Sequence, residues 1–131
     1  MSAASDYLED ALLDHVLGGT EYTQPTNIYL SLHTGSPGDA NDGANEVTTS
    51  GSAYSRQSLS FAAASGGSAS TDTTVTFSAA TSNWGTISHI GVYDASTGGE
   101  LLFHGAVTTS KTIETGDSFQ VSSGNLTITL A

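Results

Sequence analysis

The sequence predicts a mainly β fold, an antiparallel β-sandwich or jelly-roll-like domain with one N-terminal α-helix. Three observations carry that expectation. About seven short runs between residues 27 and 130 suit strands and are bounded by glycine, serine or asparagine. One stretch near the N-terminus has helical spacing instead, with serines before it and two glycines after it. The densest apolar region, Ser82 to Val107, divides at Ala95-Ser96-Thr97-Gly98-Gly99 into the two arms of a hairpin, because adjacent glycines supply the positive φ that a reversal needs.

Ser5 to Leu17 reads as an amphipathic helix. Ser2 or Ser5 can cap it, Asp6, Glu9 and Asp10 complement its N-terminus, and Gly18-Gly19 stops it. Leu8, Leu12 and Val16 form one apolar row, widened by Leu13 and Leu17, and the row calls for cover from an end or face of the sheet. His15 suits the helix C-terminus as a capping cation.

From Asn27 to Thr34 the chain alternates, which points Ile28, Leu30 and Leu32 inward and Tyr29, Ser31 and His33 outward. Gly35 to Ala53 is rich in turn formers and reads as a long exposed loop, a candidate contact site. Tyr54 to Ala62 and Thr73 to Phe77 are further strands, separated by a polar turn at 63–71. The hairpin arms run over Ile87–Asp94 and Glu100–Val107, with Ile90 and Val92 on one face and Ile87, His89 and Tyr93 on the other. A strand apolar on both faces needs cover on both, from a second sheet, a helix or a neighbouring subunit. Ser118–Val121 and Leu126–Leu130 complete the set.

Composition limits function. At 131 residues the chain suits a single domain, 1–131. Thirteen acidic residues against Arg56 and Lys111 give a net charge of −11, which argues against nucleic acid as a partner, since gripping phosphates takes several cations. The acidity fits a soluble surface or a saline setting. Cysteine is absent, so disulfides, thiolate zinc sites and cysteine nucleophiles are excluded. No run approaches the roughly eighteen apolar residues of a membrane helix, and the N-terminus lacks the basic region of a signal peptide. No membrane partner is expected.

Candidate chemistry is sparse. Asp39, Asn41, Asp42, Asn45 and Glu46 could suit calcium, but Gly43 and Ser50 break the helix-loop-helix calcium pattern, so a solvated turn is the preferred reading. With the hairpin turn centred near Thr97-Gly98, His89 and His104 become diagonal neighbours on one face. A metal there would need a further ligand such as His33, and hydrogen-bonded or interface histidines are preferred. There is no G-x-S-x-G elbow and no phosphate-binding loop, and Trp84 reads as a core anchor before a sugar-stacking residue. No catalytic residue, metal ligand or cofactor is assigned.

The segments IYLSLHTGSPG, YSRQ and WGTISHIGVYD with its return strand LLFHG carry a further signal. From about Tyr7 to Leu130 the chain resembles a family of small tailed-virus virion proteins labelled tail-fibre-like or head-decoration proteins. The resemblance implies a β-sandwich subunit that works by assembly and carries no catalytic residues. A capsid decoration subunit on the outer surface of the head is the first expectation, because a strongly acidic protein suits a site away from packaged DNA. A tail-fibre or tail-tip component binding host glycans, through Tyr29, Tyr54, Trp84 and the 35–53 loop, is the alternative. Expected partners are further copies of the chain, as a trimer or pentamer, and the major capsid protein or tail proteins. Leu8, Leu12, Val16, Tyr29, His33, Asp39, Asp42, Trp84, His89 and His104 are the candidate contact residues.

Overall fold

The hairpin forms the spine of the molecule. In the computed structural model, which describes residues 2–130, strands β6 (Gly85–Tyr93) and β7 (Leu101–Ile113) pair antiparallel. Their turn uses Gly98 and Gly99 at φ 61° and 69°. Around them are β1 (Ser2–Ala4), β2 (Ile28–His33) and β3 (Gln57–Leu59), giving a five-stranded antiparallel sheet in the order β1-β7-β6-β2-β3. Two antiparallel ribbons face it: β4 (Ser68–Ser70) with β9 (Thr127–Thr129), and β5 (Val75–Thr76) with β8 (Gln120–Val121). The mainly β, sandwich-like architecture is therefore as the sequence implies. Among the described residues, no helix is long and apolar enough to cross a membrane.

The core lies between sheet and ribbons. Leu30, Leu32, Ile90 and Val92 of the sheet meet Val75, Phe119 and Ile128 of the ribbon segments, and Tyr54, Phe77 and Trp84 fill one end. The alternation of β2 explains why Leu30 and Leu32 share this face. Ile87 departs from expectation by joining Ile90 and Val92 in the core. The cause is a register break: Ile87 pairs with Lys111, whereas His89 pairs with Ala106, so the bulge turns Ile87 to the other side.

Helix α1 (Asp6–Leu17) starts and stops where its caps dictate. Ser5 accepts from the Leu8 N–H at 3.3 Å, and Gly18, at φ 94°, donates to the Asp14 carbonyl at 3.1 Å. Ser5 also fixes the helix to the sheet, since its N–H donates to the Leu102 carbonyl at 2.9 Å and its hydroxyl to that of Leu101. Only the first turns are covered. Leu8 is buried and Leu12 half-buried, but Val16 is exposed, so the expected cover of the whole row is corrected to its N-terminal part.

The other face of the sheet overturns two more expectations. Ser31 and His33, read as outward, are fully buried. The 35–53 loop, read as exposed, folds back over them and contributes Pro37, Val47 and Ser52 to the interior. Both faces of β6 are thus covered from within the chain, and the two-faced strand no longer argues for a neighbouring subunit. Gly91 permits this close approach, because a Cβ there would stand 2.6 Å from Ser31 Oγ and 3.2 Å from His33 Nε2. Past the hairpin arm, Thr108 to Lys111 could continue or bend the strand, and β7 does continue, as far as Ile113; Tyr54–Ala62 forms a regular strand only over β3, with one further bridge from Phe61 to Thr71. Strands β1 and β4 are short and rich in serine and alanine, with no apolar alternation to announce them.

Candidate functional site

A buried polar network gathers the distinctive sequence segments into one place. Arg56 forks onto Glu46, with Nε to Oε2 and Nη2 to Oε1 both at 2.8 Å. Its Nη1 donates to the carbonyls of Ala95 at 3.0 Å and Gly98 at 2.7 Å, and its guanidinium lies 3.6 Å over the Tyr93 ring. Tyr54 Oη donates to Glu46 Oε2 at 2.7 Å and accepts from the Leu32 N–H at 3.0 Å. One arginine therefore ties the 35–53 loop, the lead into β3 and the hairpin turn together.

His33 anchors the other side. Its Nδ1 lies 2.8 Å from the Ala44 carbonyl, which can only accept, so Nδ1 carries the proton and Nε2 accepts from Ser31 Oγ at 2.8 Å. The ring stacks on Tyr93 with centroids 6.4 Å apart. Tyr93 Oη is buried without a hydrogen-bond partner beneath the loop, 3.9 Å from where a Cβ on Gly43 would stand.

Burial sets the protonation states. It lowers the His33 pKa, and the Ala44 hydrogen bond only partly opposes it. Burial would raise Glu46, but Arg56 and Tyr54 outweigh it and hold the carboxyl below the usual range. Tyr54 and Tyr93 are raised, first by burial and then by the Glu46 charge. Because folded His33 resists protonation while the unfolded chain accepts a proton near pH 6.5, its neutral state contributes stability above that pH that is lost as pH falls toward its depressed folded value. The His33→Gln variant should flatten the fall in Tm as pH drops below about 6.5, where wild type declines. Equal slopes for the two proteins would remove His33 from the account.

The other expected site residues scatter. His89 and His104 do share a face, with Ala106 and Gly91 as their cross-strand partners, and His33 pairs with His89 on the neighbouring strand. They serve separate contacts: His104 Nε2 meets Asp39 Oδ1 at 2.6 Å, and His89 Nδ1 meets its neighbour Ser88 Oγ at 2.8 Å. Among the described residues, no group of three or more His, Cys, Asp or Glu is arranged to hold a metal. The loop oxygens are engaged within the chain: Asp42 accepts from the Ala44 N–H, Asn41 Oδ1 from the distant Leu101 N–H, and Glu46 from Arg56. Leu8, His33 and Trp84 are interior, which corrects their reading as contacts; Tyr29 and Leu12 are half-buried, and Val16, Asp39 and Asp42 are exposed.

Sequence reasoning missed Glu46, Arg56, Tyr54 and Tyr93 as a unit. A usable signal was present, since Arg56 is one of only two basic residues and belongs to the YSRQ segment.

Beside α1 runs an open groove of about 520 Å³ whose walls include Leu8, Leu12, Ile28, Phe61, Phe103 and Leu130. A family model described as Podophage GP4 fiber I protein gp80 matches residues 3–129. The chain belongs to that family. No curated protein matches it. Membership in this fiber I protein gp80 family makes the chain a tailed-phage fibre-like virion protein, and it favours the fibre reading over head decoration. The segments that carried the resemblance now have a physical role, since LSLH supplies His33, YSRQ supplies Tyr54 and Arg56, and GVYD supplies Tyr93 to one clamp.

Proposed function

We propose that this chain is a single-domain structural subunit of a tailed-phage tail fibre that acts by assembly and surface contact, without catalysis. The observation that carries the reading is the match to a fibre family over residues 3–129. The geometry agrees with it. The groups best suited to chemistry, His33, Glu46, Tyr54 and Arg56, are engaged with one another or with backbone and hold a loop and a turn in place. Tyr54 and Trp84 are buried, so a glycan contact would have to use other residues, with half-buried Tyr29 and the exposed parts of the 35–53 loop the remaining candidates.

Gold labelling of an epitope-tagged subunit on intact particles tests the location. The expected result is label confined to the tail, in a low copy number consistent with a symmetric homo-oligomer. Label spread over the head in many copies overturns the fibre assignment and restores capsid decoration.

A further inference from the structure

We propose that the distal half of α1 is a docking face for a different protein, one that presents an apolar hollow rimmed by lysine or arginine. The proposal rests on the virion reading above for the identity of the assembly. The helix is clamped at its start through Ser5 and Leu8, yet Leu13, Val16 and Leu17 are 57%, 73% and 77% exposed. These three residues lie at i, i+3 and i+4 and so form one patch. Glu9 and Asp10, four and three residues before Leu13, continue the same stripe with negative charge. The face is therefore apolar at one end and acidic at the other.

Charge decides the occupant. A second copy is a poor match, because the whole chain has two basic residues and Arg56 is committed to Glu46 inside the clamp, leaving Lys111 alone against a net charge of −11. Bringing two such faces together sets acid against acid. A partner with a basic rim supplies the opposite field and covers the leucines together.

Particles purified from a phage deleted for this subunit provide the probe, with the purified full chain added back. Wild type should bind, and the Leu13→Ser/Leu17→Ser double variant should bind at least about ten-fold more weakly with an unchanged circular dichroism spectrum and Tm. Raising salt from about 50 mM to about 300 mM should weaken wild-type binding several-fold. Undiminished binding by the double variant overturns the proposal, as does salt-independent binding. Self-association of free wild type that the double variant abolishes also overturns it, assigning the face to a second copy. If wild-type protein neither occurs in normal particles nor binds the deleted ones, the virion reading itself has failed.

Discussion

Replacing Arg56 with alanine should cost about 3–5 kcal/mol and lower the midpoint of thermal unfolding by about 10 °C or more. The side chains of Arg56 and Glu46 are only 7% and 17% exposed, so the substitution leaves a desolvated carboxylate with Tyr54 as its one remaining side-chain donor. It also frees the Ala95 and Gly98 carbonyls and uncovers the face of Tyr93. Most of the cost is the stranded charge rather than the lost attraction, which a second variant separates. Glu46→Gln combined with Arg56→Met removes both charges, and should recover a substantial part of the loss in a double-mutant cycle.

Acid should narrow the gap between wild type and Arg56→Ala. Folded Glu46 has a depressed pKa, so its contribution in wild type is present above the usual carboxylate value and is lost as pH falls through the lower folded value. In the variant, protonation removes the stranded charge and relieves the strain of burying it. Calorimetry at neutral and acid pH reads both effects. A drop of less than about 2 °C at pH 7 would mean that the loop and turn hold their positions without the guanidinium.

The strand whose alternation matches a one-sided burial is Thr127–Thr129, whereas Ile28–His33 was legible as a strand although both of its faces are buried. Helix α1 was equally legible, because Ser5 and Gly18 state its ends in local backbone chemistry. What sequence could not convey was which polar residues go inside. Ser31 and His33 look like a solvent-facing row until the 35–53 loop is folded over them, and that folding depends on Tyr54 and Arg56 just past the loop's end and on Tyr93, far along the chain. Register was the other hidden variable. The bulge near Ser88 moves Ile87 into the core, and nothing in a period-two pattern signals it. The contact face of α1 was half legible: its apolar row was plain, but only packing divides covered Leu8 from exposed Val16.

Trp84→Ala should destabilise the fold by about 3–5 kcal/mol, comparable to loss of the arginine but by a different route. Trp84 is 5% exposed and packs edge-on against Tyr54 and Phe77, with ring centroids 5.5 and 6.3 Å away. Removing the indole opens a cavity inside an aromatic cluster whose remaining rings, including Phe119 at 6.0 Å from Phe77, are fixed by strands that can collapse only partly. The indole N–H also donates to the Ser52 carbonyl at 2.8 Å, which the Thr81 N–H shares at 3.1 Å, so its loss loosens the end of the 35–53 loop without orphaning that carbonyl. Trp84→Phe keeps much of the packing and sacrifices the hydrogen bond, so it should cost about 1–2 kcal/mol. Since this is the only tryptophan, both variants lose the fluorescence probe and should be followed by circular dichroism. A Trp84→Ala midpoint within about 2 °C of wild type would contradict its place in the core. Combined with Leu13→Ser/Leu17→Ser, the measurement divides the chain's large apolar residues by role: those that hold the subunit together change its melting, and those that hold it to a neighbour change only its assembly.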